Sequence, residues 1–201
     1  MVPPVDEEGL TSGVLLAQRR GPAVAEYHLL TIWRIEAPLA DVYAAIESSL
    51  AWPTWWPSVR KVEDISDGRA DGIGSVRRYA WQGKLPYRVV FDVRATCIQR
   101  QVRIEGAATG DLEGVGRWNF SSQGELSIVK YDWHVRSNRW WMNLVAPLAR
   151  SIFIFNHKQI MEQGGKALGR LLKAPRVEQQ HADLMAKAGA SGESGGRLRR
   201  R

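Results

Sequence analysis

The side chains best suited to moving protons or holding a metal are few in this 201-residue chain, which has four histidines and one cysteine. His28, His134, His157 and His181 are scattered and Cys97 stands alone, so no metal-ligand spacing forms and no metal site is read from them. Gly72-Ile73-Gly74 lacks the third glycine and the following helix of a dinucleotide-binding turn, and Gly114-Val115-Gly116 runs into a strand. No Gly-x-Ser-x-Gly elbow occurs, which removes the usual serine hydrolase arrangement. Asp111 and Glu113 pair two carboxylates, but a glycine-rich hairpin leaves them to solvent. What remains is Arg77, Tyr79, Tyr131 and the helical pair Asn156-His157. Phenols, a guanidinium and an imidazole hydrogen-bond a ligand carbonyl, or hold a proton near one. They do not amount to a catalytic set, and no catalytic residue is assigned.

The elements that must position these groups follow from periodicity. Residues 24–36 alternate, with Tyr27, Leu29, Thr31, Trp33 and Ile35 on one face and charged residues on the other, which predicts a half-buried strand. Pro38 opens a short helix in which Leu39, Val42, Tyr43 and Ile46 share a face. Trp52-Pro53-Thr54-Trp55-Trp56-Pro57 allows only short helical pieces. Strands are then predicted at 61–66, 74–82, 87–99, 101–107, 117–121 and 126–137, joined by short turns and therefore antiparallel. A glycine-rich connection is expected at 110–116. Residues 141–173 read as one long helix with Pro147 early. Gly164 and Gly165 mark either a close helix–sheet approach or a bend.

Residues 1–22 form a loose arm rich in Pro and Gly, residues 23–173 a single domain, and residues 174–201 a largely disordered tail with a short helical stretch at 178–187. The net charge of +7 is concentrated in the domain and in the tail, which ends Arg197-Leu198-Arg199-Arg200-Arg201. Those arginines lack interleaved aromatics, so they read as a solvated end and not as a nucleic-acid site. A lone cysteine, an acidic N-terminus and the absence of an apolar run of roughly 18 to 20 residues suggest a cytoplasmic protein without a transmembrane segment.

Several stretches, in this order, resemble the SRPBCC superfamily, the START-like helix-grip fold, and within it the "polyketide cyclase/dehydrase" branch. They are Ala37-Pro38 with Val42-Tyr43, the Trp52–Pro57 knot, Gly72-Ile73-Gly74-Ser75, and Leu85-Pro86-Tyr87. Gly110–Trp118, Tyr131-Asp132-Trp133, and Asn156-His157 with Met161 and Gly164 complete them. The resemblance covers about residues 24–173. It implies an α+β fold: a curved antiparallel sheet of about seven strands wrapped on a long C-terminal helix, with two short helices after the first strand. It implies a deep cavity for a lipid, polyketide or similar apolar ligand, and as a rule no metal or organic cofactor.

Strand parity selects the inner face. It places Tyr27, Trp33, Tyr79, Trp81, Phe91, Trp118, Phe120, Tyr131 and Trp133 toward the helix, which adds Asn156 and His157; these are the candidate ligand-binding residues. Arg77 shares the parity of Tyr79 and Trp81 and leaves that strand ambiguous. The same aromatics would also serve as plain core. Three functions compete: a binder of a hydrophobic small molecule, a cofactor-independent cyclase using the same cavity, and a lipid or quinone handler making peripheral membrane contact. An exposed apolar rim at Trp52–Pro57 beside Arg60 and Lys61 would mark the third. Oligomeric state is not encoded in any of these features.

Overall fold

The computed structural model describes residues 25–84, 87–138 and 146–186. The expected arm at 1–22 and the arginine end at 197–201 lie outside them. One antiparallel sheet of eight strands dominates, in the order β2-β3-β4-β5-β6-β7-β1-β8. The strands are β1 Glu26–Ile35, β2 Val59–Ser66, β3 Val76–Trp81, β4 Val89–Gln99, β5 Arg103–Gly110, β6 Leu112–Gln123, β7 Leu126–Ser137 and β8 Val177–Asp183. Helix α1 spans Leu39–Glu47 and α2 Trp52–Trp55, with a 3-10 turn at Ser49–Ala51 between them. The long helix α3 spans Ala146–Leu171. This is the helix-grip architecture, with one strand more than the sequence suggested.

The extra strand is the clearest correction. The helical stretch expected at 178–187 gives way to β8, which pairs with β1 so that Thr31 faces His181 and Trp33 faces Gln179. Sequence alone favoured a helix because Gln, His and Ala carry little β signal; the open edge of β1 supplies the pairing instead. The sheet therefore runs past the boundary drawn at 173. A second correction concerns the glycines at 110–116. They lie within the ends of β5 and β6 and leave only Asp111 as the turn.

The sheet buries one face. β1 alternates strictly between buried and partly exposed positions after Glu26. A register shift between Ala95 and Cys97 breaks this alternation in β4, so Ala95 and Ile98 both reach the cavity side. Helix α3 approaches the sheet closely because it carries glycine where neighbours need room. A Cβ at Gly164 would stand 2.3 Å from the Trp56 indole, and one at Gly165 would stand 2.7 Å from the Gln179 carboxamide. Close approach, not a bend, accounts for these glycines.

The Trp52–Pro57 knot turns inward. Trp56 is fully buried, and its Nε1 donates to the Ile160 carbonyl at 3.0 Å. Trp52 is buried against Trp56 and donates to the carbonyls of Ala45 and Ile46. The exposed apolar rim expected there is absent from these two residues. No described helix is long and apolar enough to cross a membrane.

Candidate ligand cavity

Under the middle of the sheet, between β3–β7 and the helices, lies a cavity of about 480 Å³. Of the expected residues it gathers Tyr79, Trp81, Phe91, Trp118, Tyr131 and Trp133. A smaller lobe of about 70 Å³ shares Trp81, Phe91, Tyr131 and Trp133 with it and adds Asn156 and His157 from α3. Tyr27, Trp33 and Phe120 face the same way but line neither space. Tyr27 packs at a tilt on Phe153 with ring centres 4.1 Å apart, Trp33 packs on Trp56 and Trp118, and Phe120 meets Tyr43 edge-on. Parity fixes which face a side chain occupies. Whether a helix covers that part of the face is decided elsewhere in the chain.

The cavity floor is bare for a reason visible in the pairing. Ala95, Gly106, Gly116 and Trp133 lie side by side across β4–β7. With almost no side chains in this row, large neighbours lie down along the sheet. A Cβ at Gly116 would stand 2.7 Å from the Trp133 ring and 2.9 Å from the Tyr131 hydroxyl. The outcome is a run of near-parallel rings, Trp118 on Tyr131 at 4.0 Å and Tyr131 on Trp133 at 5.7 Å. Such a wall offers flat apolar surface to a ligand.

Polar groups sit at defined places on it. Near the mouth, Arg77 donates from Nε to Asp64 at 2.8 Å and from a terminal nitrogen to Ser49 Oγ at 3.0 Å, while Ser49 lies 2.9 Å from the Tyr79 hydroxyl. Arg77, ambiguous in the sequence, therefore belongs to the cavity. Burial raises the Tyr79 phenol pKa, against the pull of Ser49 and Arg77. Burial pushes Tyr131 well above the ordinary phenol range, helped by Tyr79 and Asp132 nearby. Both phenols stay protonated and act as hydrogen-bond donors at neutral pH.

Carboxylates are not free to act as bases there. Glu47 accepts from the Tyr43 hydroxyl at 2.8 Å, Asp71 is paired with Arg69, and Glu105 is held by Arg103 and Arg117. Asp111 accepts from the Val90 backbone and Glu113 pairs with Arg136, so both hold strands together and neither lines the cavity. His157 has its pKa lowered to about 3, by burial first and by His181 second. It is neutral at physiological pH and a weak base, better suited to hydrogen bonding than to proton abstraction.

The profile of the polyketide cyclase / dehydrase and lipid transport family matches residues 32–168. The chain belongs to that family. No curated protein sequence matches it. An aromatase/cyclase from Streptomyces sp. R1128 shares the fold with TM-score 0.57 at 15% identity, covering 86% of this chain and 99% of that one. A START superfamily protein from Mycobacterium smegmatis gives TM-score 0.57 at 14% identity, over 73% of this chain and 97% of the other. A protein from Thermus thermophilus gives TM-score 0.57 at 15% identity, over 70% of this chain and 96% of the other. Identities this low carry the fold alone.

The sequence reading missed Ser49, Trp52 and Trp56, which reach the cavity from the short helices. No strand parity applies to that segment. The one available signal was its tryptophan density.

Proposed function

We propose that this protein binds a hydrophobic, ring-containing small molecule in the 480 Å³ cavity and holds it without chemical change. The observation that carries this reading is the ring wall Trp118–Tyr131–Trp133 laid over the glycine floor. A volume of this order suits a drug-sized ligand, and mostly apolar walls with a few placed donors are what such a site needs. Native mass spectrometry of the purified full chain tests it. A recurrent bound species near one per chain, released by organic solvent, is expected. A bare chain that also fails to quench its tryptophan fluorescence saturably with 1-anilinonaphthalene-8-sulfonate overturns it.

One observation favours a second reading, cofactor-independent cyclisation. Arg77, Ser49 and Tyr79 form a hydrogen-bonded chain with a fixed positive charge at the cavity wall. That charge would stabilise an enolate oxygen while the cavity folds a reactive chain. Turnover of a poly-β-carbonyl substrate that is lost in Arg77→Gln and kept in Tyr131→Phe would favour it over simple binding. Turnover unchanged by Arg77→Gln would remove it.

A further inference from the structure

We propose that the Tyr131 hydroxyl is the selectivity element of the cavity: it donates to an acceptor-only oxygen, of the aryl ketone, quinone or ester kind, on a ring compound lying along the wall. The proposal rests on the reading of the main cavity as a ligand site and adds the residue that chooses among ring ligands.

Tyr131 sits where the two spaces meet, since it lines both the main cavity and the small lobe. On β7 it pairs with Trp118 of β6 and Thr31 of β1, in the middle of the sheet. Its ring stacks with Trp118 at 4.0 Å and with Trp133 at 5.7 Å. Gly116 leaves the room for this, because a Cβ there would stand 2.9 Å from the Tyr131 hydroxyl. The hydroxyl makes no hydrogen bond to another described residue, yet it is not sealed. Trp81 Nε1, Asn156 Oδ1 and His157 Nε2 also lack partners, but each is closed off from any space a water molecule can enter. Tyr131 stays only partly buried despite its central position, and the surface it keeps faces the cavity.

The chemistry around this oxygen narrows its mate. Tyr79, Ser49 and Arg77 are bonded to one another near the mouth, and the lining carboxylates Glu47, Asp71 and Glu105 are paired. A water beside Tyr131 meets mostly rings, whereas a stable buried water makes about three hydrogen bonds. A ligand oxygen pairs the hydroxyl while the rest of the ligand covers the wall. The rings in contact with Tyr131, Trp118 and Trp133, carry an indole N–H, which donates and does not accept. A ketone oxygen accepts the Tyr131 proton and asks for nothing more. A ligand hydroxyl accepts the same bond but leaves its own proton unpaired, at a cost of about 1–3 kcal/mol. A carboxylate would place a negative charge where burial, with Tyr79 and Asp132 nearby, already keeps the phenol protonated.

The test is competition against 1-anilinonaphthalene-8-sulfonate on the full chain, with the dye's own affinity measured for each protein. The competitors are 2-acetylnaphthalene, its hydrocarbon isostere 2-isopropenylnaphthalene, and the alcohol 1-(2-naphthyl)ethanol. Tyr131→Phe should weaken the ketone about tenfold, or about 1.4 kcal/mol, and leave the hydrocarbon within about twofold of the wild type. The wild type should bind the ketone about fivefold more tightly than the alcohol. The infrared carbonyl stretch of the ketone bound to the wild type should lie below its frequency in hexane, and should return toward that frequency in Tyr131→Phe. Ketone affinity unchanged by Tyr131→Phe, an alcohol bound as tightly as the ketone, or an unshifted carbonyl stretch each overturns the role of Tyr131 and leaves the cavity reading intact. The last two are read on the wild type and need no variant to fold. Failure of all three compounds to bind the wild type overturns the cavity reading and this role together.

Discussion

The inner face of the sheet has a solid half and a hollow half, and the two are built from the same residue types. In the solid half Trp33, Tyr43 and Phe120 pack together with Trp56, which stands at the border and also reaches the cavity. In the hollow half Tyr79, Phe91, Trp118, Tyr131 and Trp133 face an open space. The difference lies in their neighbours. The hollow half has Ala95, Gly106 and Gly116 beneath its rings, so those rings lie flat, and an open space remains between them and the Trp52, Trp56 and Met161 side chains on the helical side of the cavity. Aromatic content therefore does not separate core from cavity. The small residues under the rings do.

The largest effect expected from this contrast is at Trp56. It is fully buried, touches Trp33, Trp52 and Trp81, and fills the notch at Gly164. Trp56→Ala should cost about 3–5 kcal/mol in urea unfolding, the range for emptying a packed aromatic site. Trp81→Ala, also on the cavity wall, should cost clearly less, because Trp81 is only partly buried and its indole N–H has no protein partner to lose. Equal costs would erase the distinction between the halves.

The second effect is electrostatic and falls where the hollow half meets β8. His157 lines the small lobe and also a polar groove of about 280 Å³ shared with Thr31, Lys158, Glu162, Gln179, His181 and Asp183. Its folded pKa, about 3, lies below the unfolded value near 6.5. Between those values the unfolded chain binds the extra proton, so this contribution to stability is complete above pH 6.5 and is lost as pH falls. Going from pH 7.5 to pH 5 should cost the wild type about 2 kcal/mol through this one group. The loss should be smaller by that amount in His157→Gln, as read from urea midpoints at each pH. His181, whose pKa is lowered chiefly by burial, adds in the same direction. Parallel pH profiles for the two proteins would show that His157 is solvated.

Much of this was legible in the sequence, and the boundary of legibility is physical. Alternation in β1 and β7 gave the inward faces of both strands, since one-sided burial imposes a period of two. It put Tyr131 and Trp133 on the face where the cavity lies. It gave Tyr27 and Trp33 the same standing, because period cannot report that Phe153 and Trp56 cover them. The register shift between Ala95 and Cys97 leaves no composition signal either. β8 was missed because its pairing is dictated by the open edge of β1. Asn156 and His157 were found as polar breaks in an apolar stripe. Their unpaired atoms could be seen only in three dimensions.

A finer contrast compares two glycines. At Gly164 a Cβ meets a fully buried, hydrogen-bonded indole, and at Gly116 it meets rings lying flat along the cavity wall. Gly164→Ala should cost about 2–3 kcal/mol despite the better helix propensity of alanine, because the Trp56 ring is held by Trp33, Trp52 and Trp81 and by its hydrogen bond to the Ile160 carbonyl. Gly116→Ala should cost about 1 kcal/mol, since Trp133 and Tyr131 tilt into the cavity. The price of that tilt appears elsewhere. Affinity for 1-anilinonaphthalene-8-sulfonate should fall at least fivefold in Gly116→Ala, and a variant with unchanged affinity would mean that the floor is not part of the site.

The smallest stability effect is expected at Tyr131, and its smallness is informative. A buried tyrosine in a packed core donates its hydroxyl to a protein acceptor, and its conversion to phenylalanine then costs about 1 kcal/mol or more. The Tyr131 hydroxyl stands over Gly116, on the lining of the cavity. It has no hydrogen bond to another described residue. Tyr131→Phe should therefore change stability by less than about 0.5 kcal/mol, within the spread of neutral substitutions. It should still weaken a carbonyl-bearing ligand, because the neutral phenol is the free donor nearest the ring wall. A thermal shift of several degrees without ligand would mean that the hydroxyl is tied into the fold. The hollow half would then be closer in character to the solid one than its geometry indicates.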